Sequence, residues 1–406
     1  MTRVAHRARL ALNVGALGAT ALLGAGGTAH WTAGDVLRPA RTSIGGPALL
    51  GVPLETSFSS RDGTWADVAM GRVGQLVNTF WQTFVLRPSS SRWTLVTPPG
   101  VADNGGLVST SSRTGRVLAG FEASQLLGYS PLAETADAGR AWSAGLVPAR
   151  LATTPDALAV SGHGGMLALL GARDGSVLSS SGNLSDWHTS LRAGALRASP
   201  AGRSCGLQRL VAVAYGPGGT PLVGASCTKG GRVGIFTHTS TGWNLVALHL
   251  PGGASSSAGL LRLSSSGGRT SALVELHRAR QVSLVGAWPA TSGTWSVSMS
   301  LPLESGGRLV ASGTLGSGAL FVLLAEGPGL RLETTGPPGA GATWQELPAP
   351  PASTATVAFS GTGRSARVDA LVVHGSTLTD DALRLRSRRW VRSQTIEVPI
   401  TYGSSG

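Results

Sequence analysis

The stretch TADAGRAW, Thr135 to Trp142, follows the pattern Ser or Thr, any, Asp, any, Gly, any, any, Trp. An Asp at such a position caps a tight turn by accepting backbone N–H bonds. Gly takes up turn geometry that other residues resist. The Trp then buries a large apolar ring between neighbouring layers. The stretch therefore predicts a pinned hairpin made by Asp137, Gly139 and Trp142, with Thr135 in support. Nothing in it performs chemistry. An eight-residue pattern also recurs by chance, so its weight comes from its register with the rest of the chain.

Trp142 belongs to a series. Trp93, Trp142, Trp187, Trp243, Trp295, Trp344 and Trp390 are spaced by 49, 45, 56, 52, 49 and 46 residues. A period near fifty marks a repeat array, and one four-stranded sheet per repeat gives a propeller. A Pro closes a short segment after most of these tryptophans, as in WTLVTPP, WSVSMSLP and WVRSQTIEVP. Apolar runs separated by Gly turns follow. PDALAVSGHGGMLALLGARDGSVLSSSG and GGRLVASGTLGSGALFVLLAEGPGLRLETTG each read as three strands joined by hairpins. With the strand after Trp, each unit has four.

The expected fold is thus all-β, a single β-propeller of seven four-stranded blades, with six or eight as the alternatives. A seventh blade would be split between the chain ends, pairing N- and C-terminal strands so that no edge is left exposed. The N-terminal share is less regular. Met70, Val73, Val77, Phe80, Trp81 and Phe84 follow helical spacing, whereas a strand over Thr79–Leu86 suits closure better.

The pattern at Thr135, Asp137, Gly139 and Trp142 resembles the Asp box of sialidases and related β-propellers. Other units depart from it: Gly182 and Gly339 stand at the Asp position, and Asp62 and Gly63 are one step displaced. NTFWQTF, PPGVADNGGLV and SPLAETADAGRAW also resemble exported actinobacterial propeller proteins. The resemblance implies an architecture and supplies no catalytic residues. A sialidase would need an arginine cluster, a Tyr nucleophile with a nearby Glu, and an Asp acid. This chain has only Tyr129, Tyr215 and Tyr402, and lacks the FRIP-type N-terminal motif.

The ends suggest export. Arg3, Arg7 and Arg9 precede an apolar run, Leu10 to Gly24, then small residues before His30. Residues 1–29 read as a signal peptide, or as an uncleaved membrane anchor. Residues 30–51 read as a flexible lead, 52–402 as the propeller and 403–406 as a flexible tail. The expected location is extracytoplasmic, secreted or membrane-tethered in a bacterium. Cys205 and Cys227 flank two apolar runs joined by GPGGT. An antiparallel hairpin would bring them together as a disulfide, which an oxidising compartment favours.

The net charge is +13, and 32 of the 33 basic residues are Arg. Such a balance attracts anionic surfaces, but no nucleic-acid module is recognisable. The densest basic run contains Arg384, Arg386, Arg388, Arg389 and Arg392. It reads first as a solvated outer strand and second as a contact for an anionic membrane surface or an acidic polymer. Asp103 and Asn104, in VADNGG, are a capped turn or a ligand loop. Asp380 and Asp381 look like a hairpin tip. A glycosidase needs two carboxylates across the scissile bond, and no spacing here brings two together. No His cluster, Ser–His–Asp setting or metal motif stands out. Catalytic, cofactor and metal residues are therefore expected to be none. The expectation is a monomeric binding or scaffold module for a protein or cell-envelope polysaccharide. A glycan-acting hydrolase and an extracytoplasmic assembly factor are the alternatives.

Overall fold

The structure, a computed structural model, describes residues 56–72, 79–99, 107–121, 129–148, 154–171, 175–229, 231–251, 257–290, 294–361, 366–384 and 387–400. Every described residue lies within Ala33–Gly406. The segments read from sequence as leader (1–29), lead (30–51) and tail (403–406), together with Asp103, Asn104 and Arg386, fall outside the described residues. Among those described, no helix is long and apolar enough to cross a membrane.

The strands come in consecutive antiparallel meanders. The first unit is β1 Ser57–Ser60, β2 Gly63–Gly71, β3 Thr79–Leu86 and β4 Trp93–Leu95. The second is β5 Leu107–Ser111, β6 Val117–Phe121, β7 Tyr129–Thr135 and β8 Ser143–Pro148. The third is β9 Ala157–Val160, β10 Met166–Leu170, β11 Ser176–Ser180 and β12 His188–Arg192. Two short helices follow, α1 Ala193–Ala198 and α2 Pro200–Cys205, and explain the long 56-residue spacing from Trp187 to Trp243. The fourth unit is β13 Leu207–Tyr215, β14 Pro221–Cys227, β15 Gly234–Thr239 and β16 Gly242–Leu245. The fifth is β17 Ser257–Ser266, β18 Arg269–Arg278, β19 Gln281–Pro289 and β20 Trp295–Val297, with the short β21 Leu301–Pro302 also on β19. The sixth is β22 Arg308–Thr314, β23 Leu320–Glu326, β24 Gly329–Thr335 and β25 Trp344–Leu347. The last is β26 Thr354–Ser360, β27 Arg367–His374, β28 Thr377–Arg384 and β29 Arg389–Glu397.

Hydrogen bonding groups these strands into six sheets, because a parallel bridge, Ser57 to Gly313, joins the first and sixth units. The fold is therefore all-β, six to seven sheets of four or five strands in a β-propeller-like arrangement. No sheet closes on itself.

The phase of the repeat differs from expectation. Each series tryptophan stands within one residue of the start of its unit's outermost strand, so Trp closes a unit and does not open one. The C-terminal strand β29 pairs only with β28, and the first unit is complete by itself. No split sheet joins the chain ends among the described residues. The physical reason is that Trp works as a seal to the preceding unit. Trp142 packs with Phe58, Trp65 and Val85 of the first unit. Trp187, Trp243, Trp295, Trp344 and Trp390 likewise pack in the clusters shared with the unit before. Trp93 does the same against the last unit, beside Ala358, Leu371 and Leu378. The indole N–H groups of Trp142, Trp344 and Trp390 donate to Val96, Met299 and Pro348, just past the preceding outer strand.

Strands between two such clusters are apolar on both faces. In β18, Ala272, Val274 and Leu276 face the fourth unit while Leu273 faces the sixth. Such strands read as continuous apolar runs. Edge strand β29 alternates between half-buried and exposed residues. The ambiguous N-terminal share forms β2 and β3, and the helical spacing there produces no helix among the described residues.

The disulfide forms, with Cα atoms 5.3 Å apart. Cys205 ends α2, however, and does not sit on a strand opposite Cys227. The bond thus ties the helical insert to the fourth unit. Closing a loop of 22 residues is expected to contribute about 3 kcal/mol. Reduction should lower the denaturation midpoint accordingly. Intact mass with and without reduction checks the pairing, and two freely alkylated thiols in unreduced protein would refute it.

Candidate functional site

The inner strands are rich in Ser and Thr, and their hydroxyls are buried where the strands meet. Ser59 N–H donates to Ser266 Oγ (3.1 Å), and Ser266 Oγ donates back to Ser59 O (3.0 Å). Ser111 Oγ donates to the same carbonyl at 2.7 Å and accepts from Gly267 N–H at 3.1 Å. Thr110 Oγ1 donates to Ser265 O. Buried polar groups are tolerable only when paired in this way. The result is a hydroxyl-filled junction that knits the first, second and fifth units.

Three turns emerge from that junction. They carry Arg61 after β1, Arg113 after β5 and Arg269 after β17, all exposed. The turns adjoin closely. A Cβ on Gly268, whose φ is +78°, would lie 2.6 Å from Arg113 Cβ, so the arginine stem lies across a glycine that must stay bare. A Cβ on Gly115, φ +95°, would lie 2.3 Å from Asp62 Oδ2 and 3.5 Å from Arg61 Cβ. Among the described residues, Arg61, Arg113 and Arg269 carry no ion pair or hydrogen bond. Arg116 beside them is paired with Glu134.

A second charged cluster lies in the seam between the last and first units. Arg367 Nε donates to Asp369 Oδ1 at 2.5 Å, and its Nη2 to Asp380 Oδ2 at 2.6 Å and Ser393 Oγ at 3.0 Å. Its Nη1 reaches across to Ser91 O at 3.0 Å. Asp369 and Asp380 are almost fully buried. Burial pushes both carboxyls up, each is further raised by a neighbouring carboxylate, and Arg367 offsets part of this. Two carboxylate oxygens, Asp369 Oδ2 and Asp380 Oδ1, lack a donor. A hydrogen bond between the carboxyls therefore needs a proton on one of them. Nearby, Gln394 brackets the Trp93 backbone, accepting from its N–H at 2.8 Å and donating to its carbonyl at 3.1 Å.

These carboxyls correct the sequence reading. Asp380 and Asp381 are not a hairpin tip. Both are buried within β28, whose alternation sends one toward Arg367 and the other toward Arg392. Nor do they form a glycosidase pair. Such carboxyls must face a substrate with room between them, whereas Asp380 is clamped together with Asp369 by Arg367 inside a protein seam and Asp381 faces Arg392. Asp67, buried beside Thr83 and Ser109, is likewise raised by desolvation to about 6, although both hydroxyls lower it.

The remaining predicted residues are placed as follows. In the turn at Asp137, Oδ1 accepts from Arg140 N–H, Ala141 N–H and Thr135 Oγ1, each at 2.8–3.0 Å. The Ala141 bond, followed by that of Thr135, holds its carboxyl below the usual range. Thr135 Oγ1 accepts from Gly139 N–H. Arg384 and Arg389 stand directly opposite each other across β28 and β29, and Arg388 turns the hairpin with φ 51°. Arg392 lies 3.4 Å from Asp381. Among the described residues no group of three or more His, Cys, Asp or Glu could hold a metal ion.

Sequence reasoning missed that Arg61, Arg113 and Arg269 stand on adjoining turns. A signal was present: Ser-Ser-Arg-x-Gly recurs at Ser59–Gly63 and Ser111–Gly115, and Ser-Ser-Gly-Gly-Arg ends at Arg269.

No family model matches the sequence, and no curated protein matches it. Several solved structures resemble it at low identity. A protein from Lactobacillus plantarum is 11% identical, with 83% of this chain and 97% of that one covered and a TM-score of 0.50. An Aleuria aurantia lectin bound to Fucα1-6GlcNAc is 15% identical over 76% of this chain and all of its own, with a TM-score of 0.40. YCF48 bound to a D1 peptide is 12% identical over 87% and 96%, with a TM-score of 0.39. At these identities the likeness concerns fold alone. The chain thus bears a distant, low-identity resemblance in fold to β-propeller structures.

Proposed function

We propose that this protein is an exported or surface-tethered β-propeller of seven blades, serving as a binding scaffold for a protein or cell-envelope polysaccharide. Each series tryptophan packs on the preceding unit, and Trp93 packs on the last, which supports a ring closed by side-chain packing. The basic head and apolar run at the N-terminus support export. Asp137 and Trp142 support kinship in architecture with Asp-box propellers. The single observation that carries the binding role is the set of exposed, unpaired arginine turns on a hydroxyl-knit junction. Rigid scaffolds commonly present ligand contacts on such turns. The charged hairpin of Arg384, Arg388, Arg389 and Arg392 is a further candidate contact for an anionic surface, while Asp103 and Asn104 remain a candidate ligand loop.

Cell fractionation with affinity capture of the tagged full-length protein tests this reading. The expected result is protein in the envelope or medium, retaining a saturable envelope component. Cytoplasmic retention, or no saturable partner in envelope fractions, would count against it.

A further inference from the structure

The geometry points to a specific ligand class for the turns of Arg61, Arg113 and Arg269: an anionic polysaccharide bearing repeated carboxylate or phosphodiester groups. The inference rests on the binding reading above and names its site and its chemistry. The three adjoining turns carry Arg61, Arg113 and Arg269 and one carboxylate, that of Asp62, so the platform has a surplus of positive charge. Like charges brought onto adjoining turns repel unless an anion lies between them. Guanidinium forks match the oxygens of carboxylates and phosphates in two-point contacts.

The surroundings decide what kind of anion fits. Beneath the turns, Ser59, Ser111 and Ser266 are already satisfied by one another and by Gly267. The site is thus an open platform whose floor is filled, suited to a chain laid across it. The turns Ser59–Gly63, Ser111–Arg116 and Ser266–Arg269 contain only Ser, Thr, Gly, Asp and Arg. They offer no aromatic face on which a nucleic-acid base could stack. They also lack the large apolar anchor that a protein partner's core contact needs. Hydroxyls and guanidiniums suit a hydroxylated, negatively charged polymer. The floor is pre-organised: Arg113 is laid across Gly268, so a bulky residue there would displace the arginine stem.

The test titrates the full-length protein with polygalacturonate, with poly(glycerol phosphate), with neutral dextran and with duplex DNA, at low and moderate salt. Binding of at least one of the first two is expected, with affinity falling as salt rises, and no binding of dextran. The R61Q/R113Q/R269Q variant should lose roughly tenfold or more in affinity, with an unchanged thermal midpoint because all three side chains are exposed. R278Q/R280Q, at the exposed turn between β18 and β19, should bind as the parent does. Preference between the two polymers tells carboxylate from phosphodiester. Equal affinity in the triple variant, an equal loss in R278Q/R280Q, or tighter binding of DNA than of both polymers would overturn the inference. The export reading fails separately: a cytoplasmic protein that still binds the polymers would refute that reading alone, and an exported protein that binds neither would refute this one.

Discussion

Arg367→Met is expected to lower stability by about 3–5 kcal/mol near pH 8, and by much less near pH 5. Arg367 is the cation that makes two buried carboxyls tolerable. It donates to Asp369 and Asp380 and reaches Ser91 of the first unit. Without it, ionising either carboxyl places an uncompensated charge in a dry seam. The direction with pH follows from the raised carboxyls. A carboxyl raised in the folded state holds a proton that the unfolded chain releases above its ordinary range, near 3.8. Folding then binds protons, so stability is greatest at mildly acidic pH and falls as pH rises through the raised value. Asp67, raised to about 6, adds a slope of the same sign between 3.8 and about 6. Removing Arg367 raises the pair further, so the variant's loss should grow toward alkaline pH. Urea denaturation of parent and variant at both pH values measures this. A loss that is the same at pH 5 and pH 8 would show that ionisation of the buried carboxyls does not set it.

Trp93→Ala should cost about 3–5 kcal/mol, more than Trp187→Ala. Trp93 is 2% exposed, whereas Trp187 is half-buried. Their seams also differ. Consecutive units are joined by the chain itself, but the last and first meet only through side chains and a few hydrogen bonds. Trp93 fills that seam with Leu371, Leu378 and Val398, and its backbone is held by Gln394. An empty site there leaves both a cavity and a loosened junction of the chain ends. Chemical denaturation of the two variants gives the comparison, and limited proteolysis reports whether the ends separate first. A cost at Trp93 no larger than at Trp187 would mean that the last seam carries no special share of the stability.

Much of this architecture was legible from local pattern. Trp142 and its six counterparts were readable because each seals the same kind of seam, and a recurrent burial demand leaves a recurrent residue. The hairpins within PDALAVSGHGGMLALLGARDGSVLSSSG were readable because their turns need Gly, and the strands between two packed faces need unbroken apolar runs. The Asp137 turn was readable because all its hydrogen bonds lie within a few residues.

Phase was not legible in the same way. A Trp every fifty residues fits equally a unit that begins with Trp and one that ends with it. Only the strand pairing shows that β4 through β29 place it on the outer strand. Asp380 could not be told from a surface residue, because its partners are Asp369, eleven positions away, and Arg367, thirteen away, on another strand.

The sequence by itself thus determined an all-β repeat, its period and its disulfide, since each follows from neighbours or from a demand repeated in every unit. The tertiary structure alone decided how the first and last units meet, which carboxyls lie buried around one arginine, and which arginines stand on adjoining turns. Those contacts join residues as far apart as Trp93 and Gln394, separated by 301 positions. Their distances are set by how the sheets pack, and local composition carries no record of that.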